Sequence, residues 1–189
     1  MFYNLLKKRI NLINSIESQL DKTFESCIPT VIKSIENGGC LFFAGNGGSA
    51  AEAQHMSAEY IATLDHKNFR PGIKSIALTT DTSLLTAWTN DFGFKEVFSR
   101  QLETLGKDKD IFFAYSTSGN SENIIKALEV AKNIGITTIG FSGNDGGLMK
   151  ELCDECFIIP SQNTALIQEI HTMIGHELCA NIEKELFFK

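Results

Sequence analysis

Apolar residues in the opening stretch MFYNLLKKRINLINSIESQL recur at helical spacing, placing Phe2, Leu5, Leu6, Ile10 and Ile13 on one face. A second helix is expected from about residue 21 to 37, closed by Asn37-Gly38-Gly39, because glycine readily takes the backbone that ends helices. Short apolar runs then alternate with helical stretches. They are CLFFA at 40–44, SIAL at 75–78, DIFFAY at 110–115, TTIGF at 137–141 and CFII at 156–159. Runs this uniformly apolar are buried on both faces, the mark of a parallel sheet, and their alternation with helices gives an α/β layer fold. A doubly wound sheet of order 2-1-3-4-5 is expected, in which strands one and three are neighbours where the winding reverses. A long helix over 164–187 follows, carrying Leu166, Ile167, Ile170, Ile174, Leu178 and Ile182. The expected organisation is one domain over 1–189, with helices in 1–37 and the α/β core in 38–189. The apolar faces of the first helices and the last one exceed what five strands need, which points to a homo-oligomer or to helices that simply cap the sheet.

Composition narrows the function classes. The chain has 189 residues, 43% of them hydrophobic, and a formal net charge of −6. An acidic balance without a Lys/Arg run argues against nucleic-acid binding. Nothing approaches 18 uninterrupted apolar residues, and the start lacks an apolar core followed by a cleavage site, so neither a membrane helix nor a signal peptide is expected. Five scattered cysteines, Cys27, Cys40, Cys153, Cys156 and Cys179, suit a reducing compartment, and the protein is expected in the cytoplasm. Cys153 and Cys156 form a lone C-x-x-C that precedes an apolar run instead of following one; buried or idle thiols are expected there.

Gly45-Asn46-Gly47-Gly48-Ser49 follows the first strand and opens a helix. Unpaired N–H groups and the positive end of the helix dipole favour an anion at such a junction, and glycines let it approach. The spacing Gly45, Gly47, Ala50 meets the loose dinucleotide pattern, but the acidic residue about 20 positions later is missing, so no nucleotide is expected. A second loop, Ser116-Thr117-Ser118-Gly119-Asn120-Ser121, leaves the third strand with four hydroxyls, a set suited to a monophosphate. A single helix cap would need only one of them. Both loops leave the two strands at the reversal point, so one small ligand can touch both.

On the helix after the first loop, His55 and Glu59 are spaced i, i+4 and share a face, a pair suited to zinc or simply to solvent. Glu52 lies on roughly the same side and reads as a solvated neighbour. The terminal helix carries Gln168, His171 and His176. Gln168 and His176 are separated by ~12 Å of rise in a straight helix, so they meet at one ion only if the helix begins late, bends, or two chains contribute.

Taken together, GNGGS, H-x-x-x-E, STSGNS and Q-E-I-H-x-x-x-x-H resemble the sugar isomerase (SIS) family and, within it, the phosphoheptose isomerases, over essentially the whole chain. The resemblance implies a three-layer SIS fold and an aldose–ketose isomerase acting on sedoheptulose 7-phosphate, at the entry to ADP-heptose for surface polysaccharide. It implies substrate contacts at Asn46, Gly47, Gly48, Ser49, Asn90 and Asp91, a phosphate loop of Ser116, Thr117, Ser118 and Ser121, and a further contact at Gln168. It implies zinc on His55, Glu59, Gln168 and His176, with Glu59 and His176 as the acid–base pair and Glu59 also touching substrate. A homotetramer with active sites shared between chains is implied as well. The competing expectation is a non-catalytic SIS protein that binds a replication initiator or senses a phosphosugar.

Overall fold

Strands β1 (Leu41–Ala44), β2 (Ser75–Ala77), β3 (Ile111–Ser116), β4 (Thr137–Gly143) and β5 (Glu155–Ile159) form one sheet in the order β2-β1-β3-β4-β5, with every neighbouring pair parallel. The computed structural model describes residues 2–188. The expected strands and their order are all present, and the boundaries shift by a residue or two at the ends. β1 and β3 are buried at every position, which explains their lack of polar alternation.

Seven α-helices and a short 3-10 turn at Phe94–Glu96 accompany the sheet among the described residues: α1 (Phe2–Glu36), α2 (Gly48–Ile61), α3 (Thr82–Phe92), α4 (Ser99–Leu105), α5 (Glu122–Ile134), α6 (Met149–Leu152) and α7 (Thr164–Phe187). Alternate strand residues point into two separate cores. Phe43, Phe113 and Phe141 meet Tyr60, Ile170, Ile174 and Leu178 on the face covered by α1, α2 and α7. Phe42 and Phe112 meet Leu102, Ala127 and Leu128 on the opposite face. The rings of Phe43 and Phe113 stack at 4.6 Å between adjacent strands, binding β1 to β3 where the winding reverses.

The first helical region departs from expectation. It is one helix, not two, and it runs through Pro29. Apolar residues continue at three- and four-residue steps through Leu12, Ile16, Leu20, Phe24, Cys27 and Val31, with no glycine to stop them. Pro29 removes one backbone bond on the exposed side, and packing of the opposite face outweighs it. Toward the amino end, Leu5, Leu6, Ile10 and Ile13 are exposed, so the face expected to be apolar is uncovered within one chain. The side chain of Phe2, assigned to the same face, lies outside the described residues. Among the described residues no helix is long and apolar enough to cross a membrane.

Candidate active site

The two loops leave the carboxyl ends of β1 and β3 side by side. Gly47 occupies the position before α2 with a φ of 56°, a conformation that a side chain would strain. In the second loop the hydroxyls turn toward one another. Ser116 Oγ lies 2.9 Å from Ser121 Oγ and 3.3 Å from Ser118 Oγ. Ser121 sits at the cap of α5, yet its side chain makes no capping bond. The helix-cap alternative therefore does not account for these serines. Gly119 has a φ of 66°, and any Cβ there would strike the Gly146 carbonyl, so the loop lies flat against the turn after β4.

A residue that the sequence did not single out joins the loops. Asn123, buried in the first turn of α5, exchanges two amide hydrogen bonds with Asn46: Asn46 Nδ2 donates to Asn123 Oδ1 at 2.9 Å, and Asn123 Nδ2 donates to Asn46 Oδ1 at 2.8 Å. An Asn at such a helix start reads as an ordinary polar residue; only the fold brings it to the other loop.

The remaining chemistry lies between α2 and α7, which run parallel. Gly48 faces Gln168, whose amide would sit 2.7 Å from a Cβ on that glycine. One turn on, Thr172 Oγ1 donates to Glu52 Oε2 at 2.5 Å. Next, Gly175 meets Met56, and His176 Nε2 lies 3.3 Å from His55 Nε2. At the far end Glu183 accepts from Leu64 N at 2.9 Å. A cleft of about 560 Å³ follows this seam, lined by Gly48, Glu52, His55, Gln168 and Thr172 among others.

At the seam's middle, Glu59 Oε1 is 3.1 Å from His55 Nε2, and donor atoms of His55, Glu59 and His176 all lie within 4.8 Å of one another. A zinc ion holding its donors at ~2.0–2.1 Å in a tetrahedron spaces them by roughly 3.3–3.4 Å. The two closest separations here are near that edge, and two imidazoles with one carboxylate are suitable donors. The residues fit the metal. Gln168 packs against Gly48, two turns of α2 before His55, and lines the same cleft as His55. Because α7 starts at Thr164, ahead of Gln168, a late helix start does not bring Gln168 and His176 together.

Three other residues fall as follows. Glu52 is buried, not solvated; burial raises its carboxyl above the usual range, and its Oε1 has no hydrogen-bond partner among the described residues. His171 is a core residue: its Nε2 lies 3.1 Å from the Ser142 carbonyl oxygen, and burial depresses its pKa to about 4. Asn90 donates to Asp91 Oδ1 at 2.7 Å; both are exposed at the end of α3, and within one chain no hydrogen bond among the described residues joins them to either loop.

Comparison with known proteins shows the family of the chain. Residues 5–143 match the SIS domain family. The chain is 54% identical to phosphoheptose isomerase 2 of Campylobacter jejuni over 84% of its length and 78% of that protein's. It is 46% identical to the phosphoheptose isomerase of Aneurinibacillus thermoaerophilus over 96% and 92% of the two chains. The solved structure of phosphoheptose isomerase from Neisseria gonorrhoeae superposes with a TM-score of 0.90 at 34% identity, covering 97% of each chain. With its sheet order in agreement with these matches, the chain belongs to the SIS domain family and, within it, to the phosphoheptose isomerases.

Proposed function

We propose that the protein isomerises sedoheptulose 7-phosphate to D-glycero-D-manno-heptose 7-phosphate through an enediol, feeding ADP-heptose for surface polysaccharide. The observation that carries this reading is the His55–Glu59–His176 cluster on a cleft opening beside two loops tied together by Asn46 and Asn123. Ser116, Thr117, Ser118 and Ser121 hold the phosphate, and Asn46, Gly47, Gly48 and Ser49 hold the sugar next to it. Gln168, on the cleft wall, contacts the substrate and is the proposed fourth metal position.

The Glu59 carboxylate removes a proton from C1 and returns one to C2. His176 moves the hydroxyl proton between the two oxygens, a task suited to an imidazole near neutral pH. Zinc, when bound by His55, Glu59 and His176, polarises the carbonyl as a Lewis acid. The test is incubation with sedoheptulose 7-phosphate and detection of the aldose phosphate. Glu59→Gln should lower kcat by ~10²–10⁴-fold with the fold unchanged by circular dichroism. Near-normal turnover in that variant would remove Glu59 as the base.

We further infer a cytoplasmic homotetramer whose chains complete one another's sites. Two features support this: the uncovered apolar face of α1, and a groove of about 450 Å³ lined by Ile13, Leu20, Phe24, Met173 and Ile174. Asn90 and Asp91 would then serve the site of a neighbouring chain.

A further inference from the structure

Away from the cleft, Cys153 ends α6 and Cys156 is the second residue of β5. The segment between them is pinned. Cys153 N donates to the Met149 carbonyl at 3.0 Å. Asp154 Oδ2 accepts from both N and Oγ1 of Thr138 at 2.8 Å, and Asp154 N donates to the Thr138 carbonyl at 3.2 Å. Gly140 of β4 lies in register with Cys156, and because it has no side chain the two sulfurs share the space above it. A Cβ on Gly140 would sit 2.7 Å from Cys153 Sγ and 3.0 Å from Cys156 Sγ. Both residues are half-buried.

We propose that Cys153 and Cys156 close reversibly into an intramolecular disulfide, a modification site for small disulfides of the glutathione class. Both sulfurs lie against Gly140, and each neighbouring sulfur shifts the other, holding Cys156 below the usual thiol range and Cys153 above it. Cys27, Cys40 and Cys179 are pushed up, first of all by burial, to about 12, about 11 and about 12. Cys156 is thus the attacking thiolate.

Cys156 Sγ attacks one sulfur of the small disulfide, forming a mixed disulfide and releasing one small thiol. Cys153 then loses its proton and attacks Cys156 Sγ, releasing the second small thiol. Two protein thiols are oxidised by two electrons, the small disulfide is reduced to two thiols, and the two protons leave with them. The loop closed is short, so the bond restrains the unfolded chain little and reduction readily reopens it.

The test uses the full-length protein in buffers of varied reduced and oxidised glutathione, followed by intact mass and peptide mapping. The expected result is a peptide spanning both cysteines that is lighter by two hydrogens, restored by excess reduced glutathione. Cys27→Ser should leave this intact, whereas Cys153→Ser should accumulate the mixed disulfide at Cys156. If wild-type protein in oxidised glutathione keeps all its thiols titratable, or if the bond maps to Cys27, the proposal is overturned. The wild-type map decides the matter even if a variant fails to fold.

Discussion

His171 and Asn123 illustrate how one side chain's surroundings set its consequence. The unfolded chain takes up a proton on His171 near 6.5, while the folded chain resists until about 4. The stabilisation is therefore complete above pH 6.5 and is lost as pH falls toward 4, at up to ~1.4 kcal/mol per pH unit. Urea unfolding at pH 7 and pH 5 should show His171→Gln losing ~2 kcal/mol less than the wild type across that interval. Replacing Asn123 with Ala removes two amide bonds and strands Asn46, a loss of ~1–3 kcal/mol that should fall on the loops. A raised KM for the sugar phosphate, beyond any change in kcat, is the expected reading. Neither role could be seen in the sequence, because His171 and Asn123 look like any polar residues on a helix, and their partners lie on other elements.

At the scale of elements, the parallel seam of α2 and α7 is the feature on which the candidate site rests. Gly175 lets the helices approach, since a Cβ there would press into Met56. The far end is fastened by Arg70, which donates from Nε to Glu183 at 2.7 Å and from its terminal nitrogens to the carbonyls of Tyr60 and Glu59. Both side chains of this ion pair are almost fully buried. Removing one partner leaves the other charge unpaired, so Glu183→Gln should cost ~3–5 kcal/mol, seen as a lower urea midpoint. The strands were legible because burial on both faces writes an unbroken apolar run. The division of α1 was misjudged because Asn37-Gly38-Gly39 marks a helix end clearly, whereas nothing comparable marks a start near residue 21. A buried face that continues unbroken overrides weak local start signals.

For the whole molecule, the proposed homotetramer rests on the uncovered face of α1. Ile10, 56% exposed in one chain, should be covered in the oligomer. Ile10→Glu should reduce the mass measured by light scattering, and activity should fall with it if Asn90 and Asp91 serve a neighbouring site. By itself the sequence determined the class of fold, the sheet order, the two candidate ligand loops and the family motifs, because these depend on local periodicity and on short contiguous segments. Only the tertiary structure decided that His55 and His176 meet, that Glu52 is buried, and that Asn46 pairs with Asn123. The first two depend on how two helices more than a hundred residues apart slide against each other, since helical periodicity fixes which face is buried but not the register between faces, and the last depends on the sheet order that brings two loops together.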